Sequence, residues 1–293
     1  MSYQLSCEST IDLPYEYKKQ RNISIINYTY TIEELEYVDD MGKYEDSLPQ
    51  FYKHLEEGKL PTTSQINTFR YIRHFEKLLQ KGDVLHLVLS SGITNSYAGA
   101  KAAQETLQEK YPDRKIIVID SLCASSGFGL LLDTVADMRD NGATIDELAA
   151  WIEENKLKVQ HQIITTDLTM FKRSGRVSGP TATIGTLLGI CPIMKLNNKG
   201  KIISYDKARG KKNAIKDTVN EMVKLACNNV NYNGKCFISH SNCIDLALEL
   251  KTKVEQTFPY VQDIQIHNIG TVIASHTGKG TVALFFMGEK RVD

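Results

Sequence analysis

Short apolar runs alternate with helical patterns along the first half of the chain. Val84 to Leu89 and Lys115 to Ile119 have the length and composition typical of buried strands. Apolar residues at helical spacing and Ala-rich sequence predict helices over residues 66–79, 98–110, 126–141 and 144–157. Strands and helices in this alternation predict a parallel sheet with right-handed crossovers. Residues 1–60 show a short helical pattern near Leu48 to Leu55 and are otherwise predicted to be irregular.

The regular alternation of strands and helices ends after about residue 158. Strands are predicted at residues 162–165, 193–196, 201–205, 236–240, 264–269 and 282–287, with an amphipathic helix over 212–225. Asn197-Asn198-Lys199-Gly200 is a turn sequence between two of these strands and predicts a hairpin. We therefore predict an α/β fold of two lobes. The N-terminal lobe, residues 1–158, has a parallel sheet, and the C-terminal lobe, residues 159–293, has a mixed sheet.

Composition narrows the functional classes. The chain has 293 residues with 35 basic and 35 acidic residues, so its formal net charge is zero. This balance, without any Lys/Arg-rich run, gives no electrostatic reason to bind nucleic acid or an anionic membrane surface. The six cysteines form no C-x-x-C pair and no zinc-ligand spacing. We therefore predict no metal site and expect reduced thiols.

We expect a cytoplasmic protein without a cofactor. The N-terminal MSYQLSCESTIDLP lacks the basic and apolar regions of a signal peptide. No apolar stretch approaches the roughly 20 residues of a transmembrane helix, so we expect no transmembrane segment and at most transient membrane contact. The P-loop motif is absent. A G-x-G-x-x-A match at Gly278 to Ala283 lies too close to the C-terminus for a dinucleotide site.

A loop rich in hydroxyl groups, Ser90 to Ser96, separates the strand at Val84 to Leu89 from an Ala-rich helix. The N-terminus of a helix carries free N–H groups and a partial positive charge, which favour an anion. The loop contains no Lys, Arg, Asp or Glu, so we expect it to hold an anionic head group with dipoles. The alternative is an ordinary loop that caps its own helix.

Three further segments are candidates for a site. Thr63 or Ser64 is predicted to cap the helix over 66–79, and capping alone is one interpretation of their hydroxyl groups. His276 is predicted at a strand end among small polar residues that leave room for it to face a cleft, the alternative being a structural histidine. Arg173 and Arg176 lie in a Gly/Ser-rich loop, where exposed charge or a salt bridge is the alternative.

Seven segments carry motifs in a specific order and spacing. They are Glu8–Pro14, Thr63–Gln65, Ser90–Tyr97, Ile119–Ser121, Ser174–Gly179, Leu187–Ile193 and Ser275–Gly280. They resemble, in turn, D-S-T-x-D-L, T-S-Q, S-S-x-L-S-G-T-Y, I-D-S, R-S-G-R-I-S, L-L-x-I-K-P and S/A-H-x-G-x-G. These are motifs of the DegV family, whose members include the fatty-acid-binding subunits of bacterial fatty acid kinase. The resemblance spans nearly the whole chain.

The resemblance implies a two-lobe DegV-like fold with a long-chain fatty acid between the lobes, in an apolar tunnel. Thr63 corresponds to the threonine that binds the carboxylate, Thr94 takes the place of a serine that does the same, and His276 matches a histidine near that head group. We add Ser96, Ser64 and Asn95 to these three as candidate carboxylate-binding residues. Asn95 replaces a family glycine, and Asn is the least costly other residue if this position needs a positive φ.

We predict a lipid-binding subunit and not an enzyme. It presents the carboxylate to a separate ATP-binding fatty acid kinase subunit, and Arg173 and Arg176 are candidates for contacts with that partner or with phosphate. The bound fatty acid is a ligand and not a cofactor. One alternative is a lipid carrier without a kinase. The other is an acyl hydrolase using Ser91 or Thr94 with His276, for which the sequence identifies no orienting acid.

Overall fold

The strands in the described residues form three sheets. The structure is a computed structural model that describes residues 3–178 and 189–293. In chain order the strands are β1 (Tyr3–Glu8), β2 (Ser24–Ile26), β3 (Thr29–Ile32), β4 (Leu35–Val38), β5 (Thr62–Ser64), β6 (Asp83–Val88), β7 (Ile116–Asp120), β8 (Val159–Thr165), β9 (Val177–Ser178), β10 (Ile190–Leu196), β11 (Ile202–Arg209), β12 (Cys236–His240), β13 (Ile264–Asn268) and β14 (Thr281–Met287).

Helices connect most of these strands. In chain order they are α1 (Tyr15–Gln20), α2 (Ser47–Glu56), α3 (Thr68–Leu79), α4 (Ser96–Lys110), α5 (Ser125–Asp140), α6 (Ile145–Asn155), α7 (Thr169–Ser174), α8 (Lys211–Leu225), α9 (Ile244–Thr257) and α10 (Thr271–Thr277). None of them is long and apolar enough to cross a membrane, as far as the described part of the chain extends.

The N-terminal sheet has the order β2-β1-β6-β7 and is parallel throughout. All six residues of β6 are buried, as expected for a strand covered on both faces by helices. The helices α3 and α4 pack against β6 and β7. The predicted parallel α/β lobe is therefore confirmed.

The C-terminal sheet is mixed, as predicted, with the order β13-β12-β14-β8-β10-β11-β9. The pairs β12–β13 and β9–β11 are parallel, and the other four pairs are antiparallel. The predicted hairpin is β10 and β11, joined through Asn197–Lys201, where the N–H of Asn197 donates to the carbonyl of Lys201 at 3.0 Å.

The prediction that residues 1–60 are irregular was wrong. This segment contains β1 to β4, and β3 lies between β4 and β5 in a third, antiparallel sheet. The third-sheet strands have three or four residues each, too few to show a clear periodicity. In β1 the polar residues Ser6 and Glu8 are buried with specific hydrogen-bond partners, so this strand lacks an apolar signal.

Two local predictions near the candidate site also need correction. His276 lies in helix α10 and not at a strand end. The β-branched residues Thr271, Val272 and Ile273 favour a strand locally, but burial of Val272 in the core decides the conformation. The cap of α3 is Asn67, whose side chain accepts from the N–H of Arg70 at 3.0 Å, so neither Thr63 nor Ser64 caps this helix.

One apolar core joins the two main sheets. It continues from β6 through the largely buried α5 to the inner face of the C-terminal sheet, and includes Phe128, Phe237 and Phe285. A second apolar cluster lies between the outer face of that sheet and the helices α8 and α9. The α5 helix is thus the layer that holds the two sheets together.

Candidate functional site

An open cleft lies where the hydroxyl-rich loop, the strand β5 and the helix α10 meet. Its cavity volume is about 580 Å³. The side chains that line it include Tyr28, Thr63, Ser91, Thr94, Asn95, Arg176, Lys201 and His276. The structure therefore brings together the predicted residues Thr63, Thr94, Asn95, His276 and Arg176, which are far apart in the sequence.

Thr63 and His276 form a hydrogen-bonded pair across the cleft. Pairing of β5 with β3 fixes Thr63 opposite Tyr30, and its Oγ1 lies 2.8 Å from the Nε2 of His276. Burial, together with the positive charges of Arg176 and Arg173, lowers the pKa of His276 to about 4, so the ring is neutral at pH 7. With its proton on Nε2, His276 donates to Thr63, and the Thr63 hydroxyl proton is then free for a ligand.

Thr94 and Ser96 lie at the start of α4. The Oγ1 of half-buried Thr94 is 3.3 Å from the Oγ of Ser96, which is fully buried and accepts from the N–H of Ile66 at 3.3 Å. Asn95 precedes the helix with φ −91°, so this position does not need a positive φ. The Asn95 side chain is exposed, lines the cleft and makes no capping hydrogen bond.

Ser64, Ser96 and Arg173 do not line the cleft. Ser64 is exposed and follows Thr63 in β5, where neighbouring side chains point to opposite faces. The guanidinium of Arg173 donates to the carbonyl of Pro61 at 2.9 Å and so ties α7 to the segment before β5. Gly179 and Leu187–Leu188 of the sequence motifs lie outside the described residues.

Lys201 is a cleft residue that the sequence did not reveal. The hydroxyl-rich loop itself carries no charge, but Lys201 on the C-terminal hairpin and Arg176 before β9 bring two cations to the cleft. Lys201 follows the turn Asn197–Gly200, from which the sequence analysis predicted a hairpin and no functional residue. Its position next to the loop depends on how the two lobes dock, which no local pattern encodes.

The hairpin and the hydroxyl-rich loop touch through their backbones. The Oγ of Ser90 donates to the carbonyl of Gly200 at 2.8 Å. A Cβ at Gly92 would lie 2.4 Å from the carbonyl oxygen of Lys199, and one at Gly200, where φ is +66°, would lie 2.0 Å from the Oγ of Ser90. Glycine is required at both positions because any side chain would separate the two segments.

A buried acid lies behind the cleft. Glu8, at the end of β1, is 0% exposed, and its carboxyl accepts from the N–H of Leu89 at 2.8 Å and from the hydroxyl of Tyr71. The hydroxyl of Tyr28 lies 3.3 Å from the same carboxyl and 2.7 Å from the Oγ of Ser96. Burial raises the pKa of Glu8 to about 7, against the opposing effect of these hydrogen bonds. Glu8 lies in the Glu8–Pro14 motif, but that motif does not predict this role.

The cleft has the chemistry to hold an anionic head group. Hydroxyl groups of Thr63 and Thr94 can donate hydrogen bonds, and Arg176 and Lys201 supply positive charge. His276 Nδ1 has no hydrogen-bond partner among the described residues, so no acid there orients the ring for nucleophilic catalysis. No group of three or more His, Cys, Asp or Glu in residues 3–178 and 189–293 could hold a metal ion.

Comparison with known proteins identifies the family. The sequence model described as "Uncharacterised protein, DegV family" matches residues 4–289, and the chain belongs to this family. A DegV domain-containing protein of Clostridium perfringens is 38% identical over 286 residues, which cover 97% of each chain.

Solved structures share the fold. The structure described as DegV, a fatty acid binding protein from Bacillus subtilis, is similar with a TM-score of 0.82 and 25% identity over 99% of this chain and 100% of that one. The Fatty Acid Kinase (Fak) B3 protein of Streptococcus pneumoniae, loaded with linoleic acid, has a TM-score of 0.83 at 21% identity, again over 99% of this chain and 100% of that one.

Proposed function

We propose that this protein binds a long-chain fatty acid, with the carboxylate in the cleft and the acyl chain in an apolar tunnel between the two lobes. The observation that carries the proposal is the Thr63–His276 pair at 2.8 Å, which lines the same cleft as Thr94. A carboxylate removed from water needs several donors. Thr63, Thr94 and the N–H groups of the loop supply them, with Arg176 and Lys201 as nearby positive charges.

The apolar core next to the cleft supports the placement of the acyl chain. Leu89 and Val272 line the cleft and belong to the core that joins the two sheets. Burial of a long acyl chain contributes a gross free energy on the order of 10 kcal/mol, at about 0.8 kcal/mol per methylene. Loss of ligand freedom reduces this gain. The tail therefore provides most of the affinity, and the cleft fixes the orientation of the head group.

A second part of the proposal is presentation of the carboxylate to a separate ATP-binding kinase subunit. The cleft is open, so a bound carboxylate remains accessible to a partner. Arg176 lies at this cleft, and Arg173 lies on α7 nearby, where they can contact the partner or a transferred phosphate. The likeness to the Fak B3 protein supports this role through the fold alone.

Mass spectrometry of lipid that copurifies with the protein tests the first part. The double variant Thr94→Ala/His276→Ala should lose fatty acid that the wild type retains. The matched control is Thr106→Ala/His54→Ala, which changes the same residue types away from the cleft on α4 and α2. Equal lipid occupancy in the site variant and the wild type would refute the assignment of the head-group site.

Reconstitution with the cognate kinase subunit and ATP tests the second part. Acyl phosphate formed from the lipid-loaded protein supports presentation to a kinase, whereas no product favours a lipid carrier that works alone. The acyl hydrolase alternative finds no support at the cleft, because His276 Nε2 pairs with Thr63 and its Nδ1 has no acid beside it among the described residues. Esterase activity that disappears in His276→Ala would revive that alternative.

A further inference from the structure

A continuous chain of polar groups links the buried carboxyl of Glu8 to the cleft. The carboxyl lies 3.3 Å from the hydroxyl of Tyr28, which lies 2.7 Å from the Oγ of Ser96. Ser96 Oγ lies 3.3 Å from the Oγ1 of Thr94, which lines the cleft. Each hydroxyl in this chain carries a single proton and can donate only one hydrogen bond. Tyr28 can therefore donate either to Glu8 or to Ser96, and this choice decides which bonds Ser96 and Thr94 make.

When Glu8 is ionised, the hydroxyl protons along this hydrogen-bond chain point towards its carboxylate. The carboxylate can only accept, so it draws the single proton of Tyr28 away from Ser96, and the Ser96 oxygen then accepts from Thr94. Thr94 then has no proton left for a ligand. Its Oγ1 accepts from the N–H of Ser96 at 3.4 Å and can offer a ligand only the remaining lone pair, which would repel a carboxylate.

When Glu8 is protonated, the hydroxyl protons along this hydrogen-bond chain point towards the cleft. The carboxyl donates to the oxygen of Tyr28, Tyr28 donates to Ser96, and Ser96 donates to Thr94. Ser96 also accepts from the N–H of Ile66, which occupies its second lone pair in this arrangement. The proton of Thr94 is then free to donate into the cleft, as an anionic head group requires.

We propose that Glu8 is a positioning residue that takes up a proton when the cleft binds a carboxylate, so that binding of the fatty acid is linked to proton uptake. This inference rests on the proposed fatty acid site and adds a condition to it. Glu8 touches no ligand in this scheme. It acts through Tyr28 and Ser96 on the direction of the Thr94 hydrogen bond.

The surroundings of Glu8 allow this change of charge. No ion pair among the described residues includes Glu8. The titratable groups around it are Tyr71 on α3, Tyr28 before β3, Asp120 on β7 and Cys7 on β1. His86 on β6 contacts the Tyr71 ring and stays neutral, since burial lowers its pKa well below the usual value.

Burial and Asp120 favour the neutral acid, whereas the hydrogen bonds from Tyr71 and Tyr28 favour the carboxylate. Asp120 adds negative charge that raises the pKa of Glu8 in the same direction as burial. With a pKa of about 7, the unliganded protein carries both forms of Glu8 at neutral pH. If only the protonated form binds, the apparent affinity follows its population and falls about tenfold between pH 6 and pH 8.

Calorimetric titration with decanoate tests the linkage. Decanoate is kept below its aggregation concentration, so that its own carboxyl stays ionised across the range. Titrations at pH 8 in buffers of different ionisation enthalpy give the number of protons taken up per ligand. The wild type should take up close to one proton, and Glu8→Gln, a neutral mimic of the protonated acid, should take up none and lose the tenfold pH dependence.

Two further variants test the hydrogen-bond chain and control for the loss of charge. Tyr28→Phe leaves Glu8 in place but interrupts the chain, and it should take up markedly fewer protons than the wild type. Glu105→Gln removes the same type of charge from an exposed position on α4 and should behave as the wild type. Circular dichroism checks that each variant is folded.

The outcomes separate this inference from the proposed function. Wild-type binding without proton uptake, or uptake that persists in Glu8→Gln, would overturn the role of Glu8 and leave the fatty acid site standing. Failure of the wild type to bind decanoate and longer fatty acids at any pH would overturn both.

Discussion

Replacing Glu8 with Gln should make folding stability less sensitive to pH. Gln keeps the size of the side chain and one accepting oxygen for the N–H of Leu89. Its amide group can donate to the hydroxyl oxygen of Tyr71, whose own proton then loses its acceptor, a cost that does not depend on pH. The variant therefore removes the ionisation of Glu8 with little change in packing.

The size of this pH effect on folding stability follows from the burial of the Glu8 carboxyl group. Burial raises the pKa of Glu8 from its usual 4.5 to about 7, so the folded protein binds more protons at this group than the unfolded chain does. The stability that the neutral acid contributes is fully present below pH 4.5 and is lost as the pH rises through 7. At 1.36 kcal/mol per pKa unit, this loss is about 3 kcal/mol at high pH.

Urea unfolding at pH 5 and pH 9 measures this effect. The unfolding free energy of Glu8→Gln relative to the wild type should rise by about 3 kcal/mol from pH 5 to pH 9, because only the wild type must bury a charge at high pH. Glu105→Gln should track the wild type at both values. A difference between Glu8→Gln and the wild type that is equal at pH 5 and pH 9 would refute the reasoning.

Three further results are expected. Gly92→Ala should weaken fatty acid binding, measured by titration, because its Cβ would lie 2.4 Å from the carbonyl of Lys199 and force the hairpin away; normal affinity would contradict this. An NMR titration should show no protonation of the His276 ring between pH 5.5 and 8, since burial lowers its pKa to about 4. Ellman's reagent should find one fast thiol that disappears in Cys227→Ser, the exposed cysteine, and a second fast thiol would contradict the structure.

The two main sheets could be predicted because their buried strands appear in the sequence as apolar runs. The strand β6 is covered on both faces, and its apolar run is visible without any other information. The strand β1 was missed because Gln4, Ser6 and Glu8 are polar, and the partners of Ser6 and Glu8 lie in distant parts of the chain. Helix α10 was misjudged because its β-branched start favours a strand, and only tertiary packing makes it a helix.

The candidate site could be predicted in part. Thr63, Thr94 and His276 were found through motifs, and the structure places all three at one cleft. Lys201 could not be found, because its place at the cleft results from contact between the hairpin and the loop of the other lobe. Glu8 lies in a motif, but its role could not be predicted, because it depends on a chain of hydrogen bonds that forms only in the folded protein.

The pair of Thr63 and His276 has a consequence for folding. The two residues are 213 positions apart, and they meet only when the third sheet and α10 have come together. A chain with one lobe folded therefore has no complete head-group site. Any ligand that bridges this pair binds the docked protein more tightly than its partly folded forms, and by mass action it stabilises the docked arrangement. A bound fatty acid would then stabilise the protein only after the two lobes have docked. The lobes should therefore separate least readily when the fatty acid is bound.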